Sequence, residues 1–427
     1  MYICSNCGYG SASWLGRCPD CGEWNSFTQK EGTGPGGGDN VVQDLKLTPL
    51  SKVDTKQQKR IPTKLFEFDR VLGGGFVPGE AALLTGEPGV GKSTLLLQGL
   101  QYMKTLYISG EEGAEQIKDR ADRLGIATEN FTFSNTLQLE GIIKGVKEHR
   151  SEFEVVVIDS IQTVFSKNVQ GQPGSISQMR EITYGLVQLC KETKIPMIIV
   201  GHVTKGGDVA GPKTLEHIVD AVFLFEGERI SQFRILRAQK NRFGSTDEIG
   251  IFEMDHGGLK EISDSFAFLE HTTEQVPGKA IAGIIEGKRP LFFEVQTLVV
   301  PTTLPMPRRV VKGIDYNKLL LLLAVMRKHL NLQFDKYDIY VNVIGGVDVK
   351  SPAADLAIAA SLVSSIKNGA ISDSTVFVGE LGLLGEIRTV GSQKKITSEA
   401  KRLKFKNVIS SEKIENIRQL QKHINGG

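Results

Sequence analysis

Nine consecutive residues, Gly86, Glu87, Pro88, Gly89, Val90, Gly91, Lys92, Ser93 and Thr94, carry the spacing G-x-x-x-x-G-K-[ST]. Glycines at these places let a loop wrap a polyphosphate with its backbone N–H groups, where side chains would block the approach. Lys92 is then the charge that reaches the β- and γ-phosphates, and Ser93 the hydroxyl that holds Mg²⁺, with the positive end of the following helix behind them. The loop therefore predicts a nucleoside triphosphate as substrate, with ATP as the expected one. The apolar run Val155 to Ile158 ends in Asp159, a carboxylate that either caps the next helix or orients Mg²⁺ through water.

Two more charged clusters could take part in the same reaction. The run Thr105 to Ser109 leads into Gly110, Glu111 and Glu112. Either glutamate could orient the attacking water and accept its proton, or both could be acids favoured at a helix N-terminus. Farther on, Lys240, Asn241, Arg242, Phe243 and Gly244 read either as a solvated turn or as a cationic finger on a neighbouring subunit's γ-phosphate.

A separate chemistry opens the chain. Cys4 and Cys7, then Cys18 and Cys21, are C-x-x-C pairs with ten residues between them, the arrangement that brings four thiolates around one structural Zn²⁺. Gly8, Gly16 and Gly22 allow the tight turns that such knuckles need. Trp14 and Trp24 are exposed or packing aromatics of a module too small to fold without its metal. The fifth cysteine, Cys190, sits in an amphipathic stretch from Ile182 to Glu192 and reads as a buried, inert thiol.

The elements that must position these groups follow from the pattern. Strands are expected at Ala81–Thr85, Thr105–Ser109, Phe131–Phe133, Val155–Asp159, Met197–Gly201, Ala221–Glu226 and Phe233–Gln239, alternating with helices such as Leu95–Tyr102. This is the habit of an α/β domain with a largely parallel sheet. The turn-forming stretch 32–40 marks a flexible tether. The sequence divides into a zinc finger over residues 1–27, a linker over 28–58, an ATPase domain over 59–270 and an α+β domain over 271–427. In the last, strands are expected at Ala280–Glu286, Leu291–Val299 and Asp338–Ile344, and helices at Tyr316–Lys328 and Ala353–Ile366.

Composition bounds the rest. With 51 basic and 49 acidic side chains, any nucleic-acid affinity must come from local patches rather than an overall field. The longest apolar run, Leu319 to Met326, falls well short of a membrane span and is expected to be a buried helix. The N-terminus lacks the pattern of a signal peptide, which points to the cytoplasm and away from membranes.

In this order the elements resemble the bacterial RadA/Sms family of DNA-repair proteins, over essentially the whole chain. The four-cysteine finger, the loop from Gly86 to Thr94 and the Lys240 to Gly244 signature carry the resemblance. Leu72 to Gly75, Val77 to Glu80 and Gly201 to Lys205 add to it. The resemblance implies a RecA-like P-loop ATPase core with a zinc finger before it and a Lon-protease-like domain after it. It implies a DNA-stimulated ATPase that translocates on single-stranded DNA and promotes branch migration with RecA recombinase, from a hexameric ring in the cytoplasm. It puts Glu111 in the place of the water-activating glutamate, with Glu112 second, and sets the stretch Gly201 to Lys205 after the strand that senses nucleotide state, leading into a DNA-contacting loop. DNA is then expected to meet loops 166–178 and 205–213 inside the ring. In the third domain Ala353 stands where the Lon-like proteases carry their nucleophilic serine. Lys394, matching the partner lysine, is left without one, and Ser351 reads as a helix N-cap. A scaffold is implied rather than a protease.

Overall fold

Apolar runs of five or six residues separated by helices can be buried on both faces only as the inner strands of a parallel sheet, with helices covering each side. The computed structural model of the chain describes residues 2–11, 13–29, 59–202, 212–227, 232–263, 275–345 and 348–424, with positions 49, 51 and 269 besides. Most of the expected linker, and residues 205–211 of the second expected DNA loop, lie outside the described residues. Contacts divide the chain into two compact units, residues 1–225 with 237–246, and residues 226–236 with 247–427.

The first unit begins with a small antiparallel sheet in which β1 (Tyr2–Cys4) lies between β2 (Gly10–Ser11) and β3 (Phe27–Gln29). Its main body starts with α1 (Phe66–Leu72), which is followed by three glycines at positive φ, Gly73 at 82°, Gly74 at 105° and Gly75 at 117°. A Cβ on Gly75 would lie 2.5 Å from the Ile61 carbonyl oxygen. That close approach at Gly75, with the left-handed backbone of all three, is the physical reason for the triple glycine in the sequence.

The body then alternates strictly. It runs β4 (Ala81–Gly86), α2 (Lys92–Leu100), β5 (Thr105–Ser109), α3 (Ala114–Arg123), β6 (Phe131–Ser134), α4 (Leu139–Glu148), β7 (Val155–Asp159), α5 (Ile176–Thr193), β8 (Met197–His202), α6 (Pro212–Leu215) and β9 (Ala221–Glu226). The strands stand in the order β9-β4-β8-β7-β5-β6, with every neighbouring pair parallel. Leu83, Ile108, Val156, Ile158 and Ile199 pack against Leu139, Ile142, Leu186 and Leu189 of α4 and α5. Cys190 is fully buried there, and burial pushes its thiol pKa up. Because the strands are parallel, the carboxyl ends of β4, β5, β7 and β8 gather on one edge.

Strand β10 (Phe233–Asn241) begins in the second unit and ends in the first. The second unit continues with the antiparallel pair β11 (Ile249–Asp255) and β12 (Gly258–Glu261), then β13 (Lys279–Glu286), β14 (Arg289–Pro301), β15 (Arg309–Lys312), α7 (Tyr316–Leu330), β16 (Tyr337–Val343), α8 (Asp355–Lys367), β17 (Thr375–Val378), the hairpin β18 (Glu380–Leu381) and β19 (Ile387–Arg388), α9 (Gln393–Arg402) and β20 (Asn407–Ser410). Its mixed sheet has the order β15-β16-β14-β13-β17-β20, and α8 is buried along most of its length. Among the described residues no helix is long and apolar enough to cross a membrane. The apolar run from Leu319 to Met326 lies in α7 and buries Leu319, Leu322, Leu323, Val325 and Met326, but not every residue of the run is covered. Leu320 and Leu321 are 40% and 55% exposed, because a helix buries only the stripe that meets its neighbours.

Inside this unit the Lys279 ammonium lies 3.4 Å from Glu294 and 3.1 Å from Asp373, with Glu294 almost wholly buried. Lys279→Met leaves Glu294 without its cation and is expected to lower the unfolding free energy of this unit by about 3–5 kcal/mol in urea titration. Adding Glu294→Leu should recover most of that loss; a double variant as unstable as the single one would show that the loss is one of packing.

Candidate active site and metal centre

The loop between β4 and α2 is built on glycine conformations. Gly89 and Gly91 hold φ of 80° and 110°, and a Cβ on Gly86 would lie 2.4 Å from the Phe225 carbonyl oxygen. Helix α2 starts at Lys92 without a side-chain cap, so its first turn presents backbone N–H groups to an anion. The Lys92 side chain is buried, its ammonium 2.9 Å from the Gly86 carbonyl oxygen, 3.1 Å from that of Glu87 and 3.2 Å from His202 Nδ1. Burial lowers the Lys92 pKa, while Asp159 and Glu111 act to raise it. A triphosphate fits this cradle, since it would replace weak carbonyl partners with anionic oxygens.

Asp159 at the end of β7 is buried, and its Oδ2 accepts from the Ser93 hydroxyl at 3.1 Å and the Tyr107 hydroxyl at 2.6 Å. Burial raises the Asp159 pKa, and the two hydroxyl donors oppose that rise. Tyr107, fully enclosed, has its phenol pKa pushed well up by burial and by the Asp159 charge. Serine and carboxylate oxygens side by side suit a hard divalent cation such as Mg²⁺.

The two glutamates after β5 have different surroundings. Glu112 is held by both terminal nitrogens of Arg120 at 2.6 Å. Glu111 accepts from the Ser160 hydroxyl and lies 3.0 and 3.1 Å from His202 Nε2. Gly110 lets the chain turn here, because a Cβ would lie 2.5 Å from Thr163 Oγ1. His202 thus joins Lys92 to Glu111. With the ammonium donating to Nδ1, the Nε2 atom carries the proton and donates to Glu111. As a functional contact this residue escaped the sequence reading. The available signal was a polar residue closing an apolar strand whose register sets it beside Gly86.

Lys240 and Arg242 are not brought to this edge. The Lys240 ammonium donates to the carbonyl oxygens of Glu216 and Val219, each at 2.7 Å. Arg242 pairs with Asp220 at 3.0 Å. Asp220 in turn accepts from the backbone N–H of Ala81, the first residue of β4. These groups therefore sit at the amino end of β4 and the phosphate loop at its carboxyl end, about 17 Å away for a strand of this length. Of the expected DNA loops, 166–178 is cinched by Gln178, whose amide bridges to the backbone of Ser166 and Val169. In the second unit Ala353 is buried, Ser351 accepts from the Ala353 N–H as the expected cap, and Lys394 is exposed on α9.

The four cysteine sulfurs lie within 4.8 Å of one another, with Cys4 and Cys21 at 3.7 Å and Cys7 and Cys18 at 3.4 Å. Four thiolates about 2.3 Å from a tetrahedral Zn²⁺ would be separated by about 3.8 Å. Each pair forms the same knuckle: the N–H of Gly8 donates to Cys4 and that of Gly22 to Cys18, both at 2.9 Å, with both glycines at positive φ. The donor set fits a structural zinc. Trp14 and Trp24 are 51% and 66% exposed, and Arg17 lies over the Trp24 ring. Cys18→Ser should reduce bound zinc from about one per chain to near none in a chelator-release assay; full retention of zinc would remove Cys18 from the ligand set.

Three family models match the chain, an AAA domain over residues 49–208, a rubredoxin metal binding domain over residues 2–29 and the subunit ChlI of Mg-chelatase over residues 323–414. The DNA repair protein RadA of Bacillus subtilis (strain 168) is 44% identical over 420 residues, covering 96% of this chain and 91% of its own. That of Aquifex aeolicus (strain VF5) is 43% identical over 419 residues, covering 97% and 94%. That of Streptococcus pyogenes serotype M1 is 45% identical over 415 residues, covering 95% and 91%. Among solved structures, the RadB recombinase is similar over 47% of this chain and 99% of its own, with 21% identity and a TM-score of 0.38. A second solved structure, of an isolated ATPase domain, is similar over 48% and 92%, with 14% identity and a TM-score of 0.41. The architecture is that of a RecA-like, ATP-hydrolysing core between a zinc ribbon and a Lon-protease-like domain. Identity at this level along nearly the full length of both partners leaves one conclusion, that this chain belongs to the family of RadA DNA repair proteins.

Proposed function

We propose that this protein is a DNA-stimulated ATPase that translocates on single-stranded DNA and promotes branch migration of recombination intermediates together with RecA recombinase, working as a hexameric ring. The observation that carries the reading is the placement of charge along β4. Lys92, His202 and Glu111 form one connected chain at its carboxyl end, and Arg242 is fixed at its amino end, half exposed. An arginine so far from its own phosphate loop serves hydrolysis only across a subunit boundary, and head-to-tail contacts of that kind form a ring when the rotation between neighbours closes.

In this mechanism the backbone from Gly86 to Thr94 grips the triphosphate, and Lys92 exchanges its carbonyl partners for β- and γ-phosphate oxygens. Ser93, with Asp159 acting through water, would hold Mg²⁺, whose charge offsets that of the phosphates. Glu111, oriented by His202 and Ser160, aligns a water with the γ-phosphorus and takes its proton as the bond to ADP breaks. Arg242 of the adjacent subunit stabilises the negative charge on the transferring phosphoryl group. Glu112 is committed to Arg120, which favours Glu111 for the water, and Lys240 shapes the turn that carries Arg242.

The DNA part of the reading is supported by the RadA relatives; in the proposed ring, loop 166–178 would line the channel. The zinc module, with its exposed tryptophans and Arg17, suits docking of DNA or a repair partner.

Lys92→Ala should abolish ATP turnover. Glu111→Gln should retain ATP binding while kcat falls by about 10²–10⁴-fold, and Glu112→Gln should stay within about threefold of the parent; the opposite ranking would move the water-activating role to Glu112. Single-stranded DNA should stimulate turnover, and the stimulation should fall steeply between about 50 and 200 mM salt. A labelled-strand displacement assay decides between motion and mere loading, since ATP-dependent DNA binding with no directional displacement would favour an ATP-gated switch.

A further inference from the structure

Asp220 is a buried carboxylate, 4% exposed, and the hydrolytic steps above make no use of it. Its two oxygens face different elements. Oδ1 accepts from Arg242 Nη1 at 3.0 Å, and Oδ2 accepts from the Ala81 N–H at 3.2 Å. The backbone repeats both links, with Asp220 N–H donating to the Ala81 carbonyl at 2.9 Å and Arg242 N–H donating to the Asp220 carbonyl at 3.1 Å. Lys240 ties the same turn from the other side through Glu216 and Val219. The arginine head is thus clamped to the first residue of the very strand whose last residue opens the phosphate loop.

We propose that Asp220 is the positioning residue for Arg242, and that β4 couples a subunit's own phosphate loop to the cation it offers its neighbour. The inference rests on the reading of Arg242 as an intersubunit finger and deepens it. A flexible arginine must lose rotamer freedom to act on a phosphoryl group, and a buried carboxylate that holds it in one place removes most of that loss beforehand. Because Asp220 and Ala81 are locked by side chain and backbone together, a shift of β4 caused by nucleotide in one subunit moves Arg242 at the boundary with the next. Strand β4 is a short, fully buried rod, and close-packed interiors transmit such shifts rather than absorb them.

The test is a double-variant cycle on the full-length assembled protein. Asp220→Asn keeps an acceptor for Ala81 N–H and removes the charge that holds Arg242. It should lower kcat about tenfold with ATP affinity within about twofold of the parent, since the subunit's own cradle is untouched. Combined with Arg242→Ala it should add no further loss, because Asp220 acts through Arg242. Should the asparagine variant fold poorly, Asp220→Ser retains an acceptor and is read in the same cycle. A multiplicative loss in the double variant, or a full-speed Asp220→Asn beside a slow Arg242→Ala, overturns the role of Asp220 alone. Unchanged turnover in Arg242→Ala overturns the finger itself and the positioning role with it.

Discussion

A lysine ammonium buried beside a sheet edge sets the terms for the rest of this molecule. Lys92 is only 4% exposed, and its charge is held by the loop carbonyls and by His202. Burial works against that charge, and the carboxylates of Asp159 and Glu111 work for it. Such a group is poised for a polyanion, because phosphate oxygens are better partners than those it leaves. The glycine cradle, the uncapped start of α2 and the parallel order of β4, β8, β7 and β5 are the means by which the chain brings those groups within reach of each other.

The same strand order separates what the reaction needs to keep apart. One end of β4 carries the phosphate loop and the other is bonded to Asp220 and Arg242. In the proposed mechanism a single subunit holds one half of each of two sites, so that hydrolysis is a property of the assembly and its rate a report on how neighbours are seated. Lys240, although charged like Arg242, is spent on carbonyl groups of the turn before β9. That distinction belongs to folded geometry and not to residue type.

Much of the fold was legible because apolar runs bounded by turn residues are nearly unambiguous in an α/β domain. Val155–Asp159 and Thr105–Ser109 agree residue for residue with β7 and β5. Helix starts were less so. Helix α2 begins at Lys92 rather than Leu95 because the loop glycines feed directly into its first turn, and α5 begins at Ile176, ahead of the apolar stretch, because its first turns are polar. The choice between Glu111 and Glu112 depends on Arg120, eight residues on, which no local pattern ties to either. His202 lay inside a recognised stretch, yet its contact with Lys92 is a matter of strand register, and register between β4 and β8 is set by more than a hundred residues of intervening chain. In the second unit an unbroken apolar run concealed that α7 leaves leucines outside, since continuous hydrophobicity erases the periodicity that marks a buried face.

The central claim, that each hydrolytic site draws Lys92 from one chain and Arg242 from the next, is tested most directly by mixing. Chains carrying Lys92→Ala, inactive alone, and chains carrying Arg242→Ala, slow alone, are unfolded from their assemblies and reassembled in equal amounts, and ATP turnover is measured. Random head-to-tail assembly restores both groups at about one site in four, so activity should return to about a quarter of the parent level. A mixture no more active than its components would place both groups in one chain and contradict the account.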